Sequence, residues 1–218
     1  MKTVAVVGAN GKMGSLVCKK LENEFNVAKV DVDNSLNDFS NLDLVVDFAN
    51  GSSSANSAIY CEKNGVPLIV GATGQTDQEL SFIEKASKAV PVLKAGNFSV
   101  GILLLKRLLT EVLKVGGQDV VIFEKHHRGK VDSPSGTALE IAKVVESQTN
   151  KAPQILAERG GKEIGTHAAN IYFGDEVISL KHQAFSREVF ADGAVLAVKF
   201  LLNQTSPKLY DFDDVFKK

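Results

Sequence analysis

The 218-residue sequence predicts an α/β fold, with a doubly wound parallel sheet and an inserted α+β domain. Short apolar runs typical of buried strands alternate with helical segments over the first 97 residues. Glycine-rich turns follow several of these runs, at the carboxyl ends of strands, where such sheets bind their ligands. Beyond residue 97 the alternation stops. A long helix, a strand and a hairpin follow, which is typical of a separate α+β unit.

The composition and charge exclude several classes of protein. Hydrophobic residues make up 44% and charged residues 23% of the chain, as in ordinary globular proteins. The formal net charge of −1 gives no support for nucleic acid or an anionic membrane as a partner. The longest apolar segment, 100–115, contains four charged residues, so it predicts an amphipathic helix and not a membrane span.

The cysteines and the first residues favour a reducing compartment. Cys18 and Cys61 lie in predicted helices, without the spacing of a metal or redox motif. A strand is predicted directly after Met1, which leaves no room for the apolar core of a signal peptide. We therefore expect a cytoplasmic protein with buried free thiols.

The first 97 residues are predicted to alternate between strand and helix. Predicted strands cover 2–7, 27–32, 42–48, 67–70 and 90–93, and predicted helices cover 15–22, 51–63 and 78–89. Only a short polar link joins the second and third strands, with little room for another element. In a sheet of this kind, the loops at Gly8, Gly71 and Asn97 gather at one edge.

The first strand runs directly into a glycine-rich turn, Gly8-Ala-Asn-Gly-Lys-Met-Gly14. Its G-x-x-G-x-x-G spacing differs from the strict G-x-G-x-x-G, but its position between strand and helix is the context that binds a pyrophosphate. Gly8 and Gly11 permit the tight turn and a close approach of the ligand, while Gly14 allows the helix to pack on the sheet. This turn predicts a Rossmann-type dinucleotide-binding domain over residues 1–97.

An acidic residue at the end of the second strand is expected to read the adenosine ribose. Asp31 lies 20 residues past Gly11 (31 − 11), where a carboxylate accepts hydrogen bonds from the ribose hydroxyls. Asp33 is the alternative for this role, and we favour Asp31. A carboxylate here repels a 2′-phosphate, and the nearby Lys12 and Lys29 would offset part of that repulsion. The sequence therefore predicts use of both nucleotides with a preference for NADH.

The second half of the chain predicts an α+β domain over 98–185. Its expected elements are a helix at 100–115, strands at 120–123 and 154–157, a helix at 138–147 and a hairpin at 168–181. The last segment, 186–218, is predicted to begin with a helix at 187–202 that returns to the first domain. Leu209, Tyr210 and Phe212 are expected to dock the tail.

The segment from Glu124 to Thr137 carries the candidate chemistry. Four charged or titratable side chains lie in this one strand-to-helix connection, with Arg128 among them: Glu124, His126, His127 and Lys130. The helix after it is expected to begin either with Ser133 as N-cap or with Thr137 in a capping box. Both registers leave backbone N–H groups and hydroxyls at the positive end of a helix dipole. This arrangement predicts a small substrate that carries carboxylates and is protonated during the reaction.

Two other interpretations of this segment stay open. It could be a solvated basic turn without chemistry. A zinc site is less favoured, because adjacent histidines in a strand point to opposite faces and no cysteine or helically spaced histidine joins them. We expect no metal.

The chain resembles the bacterial dihydrodipicolinate reductase (4-hydroxy-tetrahydrodipicolinate reductase) family of lysine and diaminopimelate biosynthesis over nearly its whole length. The most specific match is the block Glu124-x-His-His-Arg-x-Lys-Val-Asp-x-Pro-Ser-Gly-Thr137. Further matching motifs are Gly8–Gly14, Val46-Asp-Phe48, Gly71–Gly74, Asn97–Gly101, Arg159-x-Gly161, Gly165-x-His167 and Ser186-Arg-x-x-Phe-Ala-x-Gly193.

The resemblance implies reduction of 4-hydroxy-tetrahydrodipicolinate to tetrahydrodipicolinate with NADH and/or NADPH. It implies that His126 is the proton donor and Lys130 its partner at the substrate. Substrate contacts are then expected at His127, Lys130, Ser135, Gly136 and Thr137. Cofactor contacts are expected at Gly8, Asn10, Gly11, Lys12, Met13, Asp31, Phe48, Gly71, Thr73, Asn97 and Phe98, the last few through main chain at the nicotinamide. It also implies a homotetramer built on the hairpins at 168–181, which would cover an exposed sheet edge.

This chain departs from the family pattern at three positions and in one link. Ala72 replaces the usual Thr, Lys12 the usual Arg and Leu103 the usual Asn, and the link after Asp33 is shorter than in many members. Lys cannot stack and pair as Arg does, so Lys12 bears on the choice of nucleotide. Two rival functions are another two-domain amino-acid-type reductase, such as a diaminopimelate dehydrogenase, and a non-catalytic dinucleotide-sensing module.

Overall fold

The computed structural model describes residues 1–117 and 119–217. Its strands are β1 (Thr3–Val7), β2 (Asn26–Val30), β3 (Leu44–Asp47), β4 (Leu68–Val70), β5 (Pro91–Lys94), β6 (Asp119–His126), β7 (Gln154–Arg159), β8 (Gly165–Phe173), β9 (Glu176–Ala184) and β10 (Lys208–Tyr210). Its α-helices are α1 (Lys12–Leu21), α2 (Gly51–Asn64), α3 (Asp77–Ser87), α4 (Val100–Val115), α5 (Gly136–Thr149) and α6 (Glu188–Leu201).

The chain forms two compact units. The first comprises Met1–Phe98 together with the chain from Phe190 onward, and the second comprises Ser99–Val189. The second unit is therefore an insertion between two segments of the first.

The first unit is built on a six-stranded parallel sheet with the order β10-β5-β4-β3-β1-β2. Its central strands are apolar almost throughout, and every residue of β3 and β4 is buried. Such continuous apolar runs form where helices cover both faces of a parallel sheet. The predicted doubly wound α/β fold is confirmed.

Four elements of the first unit differ from the sequence-based expectation. Helix α1 begins at Lys12 and not at residue 15, and the link before β3, which was expected to leave little room for another element, holds a short 3-10 helix at Leu36–Asp38. β2 ends at Val30 and not at residue 32, because the Asp31 N–H donates to Asn34 Oδ1 and the Val32 N–H to Asp31 Oδ1. These side-chain bonds replace the ladder and turn the chain. The tail, expected only to dock, adds β10 as a sixth strand beside β5. Three residues are too few for a periodic signal.

The second unit is a four-stranded mixed sheet with the order β7-β6-β8-β9. β6 pairs in parallel with β7 and antiparallel with β8, and β8 and β9 form the predicted hairpin. Helices α4 and α5 cover one face, where a core forms around Leu109, Ile122, Ile141, Ala169 and Ile171. β6 continues to His126, three residues beyond its predicted end, because both neighbouring strands pair with it there.

Candidate active site

Strand β6 and its two neighbours assemble a cluster of polar side chains on the helix-covered face of the second unit. Side chains two residues apart share one face of a strand, so Glu124 and His126 both point inward and are buried. The antiparallel register places His167 of β8 opposite Glu124. The parallel register places Arg159 of β7 opposite His126. Pairing between strands thus joins residues that are far apart in the chain.

The Glu124 carboxylate is the centre of this cluster. The Arg159 guanidinium donates to Oε2 at 2.9 Å and to Oε1 at 2.6 Å, which is a bidentate ion pair. The Ser135 N–H donates to Oε1 at 3.1 Å, and Nδ1 of His126 is hydrogen-bonded to Oε2. Burial acts to raise the pKa of Glu124, but these bonds from Arg159, His126 and Ser135 outweigh it and lower the pKa. Glu124 is therefore a carboxylate at neutral pH.

His126 presents its second ring nitrogen away from Glu124. Among the described residues, Nε2 has no hydrogen-bond partner. It lies against Gly165, where an added Cβ would come within 3.1 Å of Nε2. Burial lowers the pKa of His126 from its usual value, and the attraction of Glu124 only partly opposes this effect. A histidine held in this way can deliver a proton from Nε2.

Helix α5 begins beside the cluster, but at neither of the two positions that the sequence favoured. Its N-cap is Ser135, whose hydroxyl accepts the Ala138 N–H at 3.2 Å. The predictions of Ser133 and Thr137 as N-cap were wrong. Ser133 is exposed, whereas Ser135 is buried and its hydroxyl also bonds Nε2 of His167 at 3.2 Å. The contact with His167 goes together with the observed helix start at Ser135. Capping rules that consider only neighbouring residues in the sequence do not include it.

His167 is neutral in this setting. Its Nε2 is hydrogen-bonded to the Ser135 hydroxyl at 3.2 Å, and its Nδ1 is buried without a hydrogen-bond partner among the described residues. Burial, reinforced by the nearby His126, lowers the pKa of His167 to about 3. Its ring packs edge-on against that of His126, with centroids 5.1 Å apart.

Lys130 lies in the loop after β6 and is paired within it. Its Nζ is 2.8 Å from Oδ1 of Asp132, and the backbone N–H of Gly136 also bonds this carboxylate. Burial acts to raise the pKa of Asp132, but the bond from Lys130 outweighs it and lowers the pKa. Two predicted substrate-binding groups, Lys130 and the start of α5, thus both contact the Asp132 carboxylate. Thr137 follows on the same helical turn and is half-buried.

His127 and Arg187 form a second basic group. The His127 N–H donates to the Glu163 carbonyl at 2.8 Å, which anchors the backbone just past the end of β6. The Arg187 guanidinium lies 3.5 Å from Nε2 of His127. Both side chains are half-buried, so the positive charge of the Arg187 guanidinium remains available to an anionic ligand.

Glu124, His126 and His167 also satisfy the spacing of a metal site, since one ligand atom from each lies within 4.8 Å of the others. The existing bonds compete with that use. Both Glu124 oxygens accept hydrogen bonds from the Arg159 guanidinium, and Nε2 of His167 is hydrogen-bonded to the Ser135 hydroxyl. The donor set fits a hydrogen-bonded network around His126 better than a cation.

The glycine turn of the first unit has the shape that a dinucleotide requires. Gly8 adopts a φ of 77°, a conformation that side chains disfavour. A Cβ at Gly14 would come within 2.0 Å of the Gly8 carbonyl oxygen, so only glycine lets α1 start this close to the turn. Gly11 closes the turn with an N–H bond of 2.9 Å to the same oxygen. Lys12 is exposed and Met13 half-buried in the first turn of α1.

Asp31 stands beside a cavity of about 340 Å³ at the end of β2. The Asn10 N–H donates to Oδ2 of Asp31 at 2.7 Å, which ties the carboxylate to the glycine turn. Asp33 is exposed and does not line the cavity. Lys29 is engaged by Glu22 at 2.7 Å, so of the two lysines only Lys12 stays without an acidic partner. The cavity and carboxylate fit the adenosine half of a dinucleotide.

The other predicted cofactor residues lie at the ends of β3, β4 and β5. The Asp47 carbonyl accepts the Gly71 N–H at 2.8 Å, and the Phe48 ring occupies the space of a Cβ at Gly71. Thr73 is exposed and Asn97 half-buried. Phe98 is buried against Phe48, with ring centroids 5.5 Å apart, so its side chain belongs to the core of this unit.

Three residues complete the site although the sequence analysis assigned no role to them: Glu124 as a partner of His126, and Arg159 and His167. The spacing of Glu124 and His126 by two in a strand was a usable signal. No local signal exists for Arg159 or His167, because only the register of the sheet brings them to β6. Among the described residues no helix is long and apolar enough to cross a membrane.

Comparisons with known proteins match both halves of the chain to one family. A family model described as "Dihydrodipicolinate reductase, N-terminus" matches residues 2–98, and one described as "Dihydrodipicolinate reductase, C-terminus" matches residues 101–216. Both predicted halves of the chain are therefore covered by one family.

Relatives named 4-hydroxy-tetrahydrodipicolinate reductase match over full length. That of Caldanaerobacter subterraneus subsp. tengcongensis is 37% identical over 250 positions, covering 100% of this chain and 99% of the relative. That of Rickettsia rickettsii is 33% identical over 239 positions, covering 100% of both. The first alignment leaves at least 32 positions (250 − 218) without a residue in this chain, in line with a compact member.

Among solved structures, dipicolinate-bound dihydrodipicolinate reductase from Paenisporosarcina sp. TG-14 has the same fold. It superposes with a TM-score of 0.75 at 22% identity and covers 97% of each chain. The family models, the full-length relatives and this fold agree: the chain belongs to the dihydrodipicolinate reductase family.

Proposed function

We propose that this protein reduces 4-hydroxy-tetrahydrodipicolinate to tetrahydrodipicolinate with NADH or NADPH. The observation that carries the proposal is the His126 site, where a buried imidazole is hydrogen-bonded through Nδ1 and open at Nε2 beside a cationic loop. This site lies in the half of the chain that matches the C-terminal family model. A proton donor next to groups that bind carboxylates suits a dicarboxylate substrate that is reduced and then protonated.

Each group of the site has a distinct task in this reaction. The bound nicotinamide supplies the hydride. His126 delivers the proton from Nε2, and Lys130 holds a substrate carboxylate together with the Gly136 N–H at the start of α5. His127 contacts the second carboxylate, and Arg187, whose guanidinium lies 3.5 Å from Nε2 of His127, offers positive charge for it.

The Asp132 carboxylate lies beside the Lys130 ammonium group, at the place where the substrate carboxylate would bind. It bonds Lys130 Nζ at 2.8 Å and the Gly136 N–H. A substrate carboxylate would take over these two donors and release Asp132 toward solvent, which its side chain already reaches. One exposed ion pair is exchanged for another, so the exchange itself costs little.

The first unit favours NADH over NADPH. Asp31 would accept the ribose 2′-hydroxyl and repel a 2′-phosphate. The ion pair of Lys29 with Glu22 leaves Lys12 as the main compensating charge. We therefore expect both nucleotides to be used, with the larger specificity constant for NADH.

The assembly is proposed to be a homotetramer in which the sheets of the second unit meet. The sheet face opposite α4 and α5 carries Phe123, Leu156 and Tyr172, which are 39%, 40% and 38% exposed. β7 and β9 are the edge strands of this sheet. Partly apolar sheet faces and open edges of this kind are commonly covered by a partner.

The test is a coupled assay in which the aspartate-semialdehyde condensation product is generated in place and nucleotide oxidation is followed. We expect oxidation only when that product is supplied. His126→Gln should lower kcat by roughly 100-fold or more with little change in KM, because a proton donor acts in the transition state. Lys130→Ala should raise KM and lower kcat, because its charge serves both the substrate and the developing anion.

Nucleotide binding measured separately is the control, and it should survive both substitutions. Near-normal turnover in both variants would contradict the assigned roles and favour a solvated basic turn. Tight NADH binding without any substrate-dependent oxidation would instead favour a nucleotide-sensing module.

A further inference from the structure

We propose that Glu124 is a positioning residue for His126, which fixes the imidazole so that its proton leaves from Nε2, and that Arg159 sets how strongly Glu124 acts. This inference rests on the proposed function. It assigns a task to two residues that the reaction, as described above, does not use directly.

The Glu124 carboxylate is filled with donors. Oε1 receives the Ser135 N–H and one Arg159 nitrogen, and Oε2 receives the other Arg159 nitrogen and Nδ1 of His126. An ionised carboxylate has about four acceptor positions and no donor, so it suits these four partners. An amide would turn an NH2 group toward two of them, whichever way it is oriented. The four donors therefore require a charged carboxylate at this position. A glutamine of the same shape would not satisfy them.

The acceptor-only character of Glu124 determines the tautomer of His126. Nδ1 must carry a hydrogen to bond a carboxylate, so neutral His126 keeps its hydrogen on Nδ1 and its lone pair on Nε2. When His126 is charged, the additional proton is on Nε2. Loss of that proton to the substrate leaves the Nδ1–H bond to Glu124 unchanged. The ring needs no rotation or tautomer change between the two states.

The surroundings hold the ring in place and leave Nε2 clear. His167 packs edge-on against it, and Gly165 has no side chain that would crowd Nε2. Arg159 holds the other side of Glu124 and also donates to the Asp132 carbonyl at 2.6 Å, which ties the network to the loop of Lys130.

The charges around His126 act in opposite directions. Glu124 on β6 favours the imidazolium, whereas Arg159 on β7 and Lys130 in the loop disfavour it. His167 on β8 is neutral. Removal of the charge of Glu124 should therefore make His126 lose its proton at lower pH, and removal of the charge of Arg159 should do the reverse. If Glu124 and Arg159 had only a structural role, their replacement would not shift the pH at which His126 loses its proton in opposite directions.

The first measurement needs no variant and no activity. Nitrogen NMR of the histidine rings in the native protein, at a pH where His126 is neutral, should show a hydrogen on Nδ1 and a bare Nε2. A spectrum with the hydrogen on Nε2 would overturn the proposal even in an active enzyme. Absence of reductase activity would instead contradict the proposed function, and the NMR spectrum would still show which nitrogen of His126 carries the hydrogen.

The second measurement is the pH profile of kcat for Glu124→Gln and Arg159→Gln, with Glu140→Gln as the control. Glu140 pairs with Lys106 at 3.1 Å on the same unit, outside the network. Glu124→Gln should lower kcat tenfold or more and shift the alkaline fall in activity down by roughly one pH unit. Arg159→Gln should shift it upward, and Glu140→Gln should leave it in place.

Circular dichroism and NADH binding establish which variants are folded. Shifts in the same direction for Glu124→Gln and Arg159→Gln, or none in either, would overturn the proposal. If Glu124→Gln fails to fold, a downward or absent shift in Arg159→Gln is sufficient to reject it.

Discussion

Three acidic residues show how the surroundings decide what a carboxylate does. Asp31 is half-buried at a cavity and bonds two backbone N–H groups, so lone pairs remain for a ligand. Glu124 is buried and all its acceptor positions are used. Asp47 is buried and bonds the Ser53 and Ser57 hydroxyls, and burial raises its pKa. Of the three, Asp31 is the one suited to contact a nucleotide.

Asp31→Ala should lower the specificity constant for NADH more than that for NADPH, because it removes a ribose acceptor and a charge that repels a 2′-phosphate. Bonds to charged groups contribute about 1.5–3 kcal/mol, so we expect the NADH-to-NADPH ratio to fall roughly tenfold or more. Steady-state kinetics with both nucleotides checks it.

Asp33→Ala is the matched control, since Asp33 is exposed on the same loop and does not line the cavity. An unchanged ratio in Asp31→Ala, or an equal change in Asp33→Ala, would assign the ribose to another residue.

At the scale of elements, two helices of the second unit begin in the same way. The N-cap Ser135 of α5 bonds His167 on β8, and the N-cap Ser99 of α4 bonds His182 on β9, each at 3.2 Å. The two histidines are paired across the hairpin. Burial lowers the pKa of both imidazoles. The hairpin therefore supports two helix N-termini with neutral histidines, and these contacts depend on pH.

His167 should make folding sensitive to acid. Its pKa is lowered from 6.5 to about 3 on folding, so below pH 6.5 the unfolded chain binds a proton that the folded one does not. The neutral imidazole therefore stabilises the folded state fully above pH 6.5, and this stabilisation is lost as the pH falls from 6.5 toward 3. From pH 7.5 to 5.5 this loss should be on the order of 1 kcal/mol.

Urea unfolding of the wild type and His167→Gln at one protein concentration measures this difference. The variant should be less stable at pH 7.5, but its free energy of unfolding should fall by on the order of 1 kcal/mol less between the two pH values. The same pH dependence in both proteins would show that His167 does not remain neutral.

At the scale of the whole molecule, the chain divides its chemistry between two units with different sheets. The parallel sheet of the first unit is covered by helices on both faces, which suits a stable nucleotide-binding unit. The mixed sheet of the second unit has helices on one face only, and the other exposes apolar side chains among polar ones. The surface proposed to meet a partner is therefore on the unit that carries His126.

Light scattering at micromolar concentration should give the mass of a tetramer. Tyr172→Lys, on the exposed sheet face, should weaken assembly because it buries a charge in the proposed interface. Val115→Lys is the control, since Val115 is 88% exposed at the end of α4 and away from that face. A monomer mass for the wild type would rule out the assembly. Equal dissociation of both variants would place the interface elsewhere.

Local patterns in the sequence were sufficient for the fold class and for naming a candidate site. The apolar runs, the turn at Gly8 and the block from His126 to Lys130 are all contained within short segments, and each has a local physical cause. Helix α4 was predicted at its observed bounds, because its amphipathic pattern spans four turns and ends at glycines. Short or capped elements, such as β10 and the start of α5, were missed or misplaced.

The partners of the candidate proton donor were decided only by the tertiary structure. Arg159 is 33 residues (159 − 126) beyond His126, and His167 is 43 (167 − 124) beyond Glu124, yet strand pairing places each beside its partner. A shift of one residue in either register would turn these side chains to the other face of the sheet. Such pairing depends on the packing of the whole unit, which no short stretch of sequence contains. The sequence by itself therefore determined that His126 is a candidate donor, and the fold decided which groups hold it.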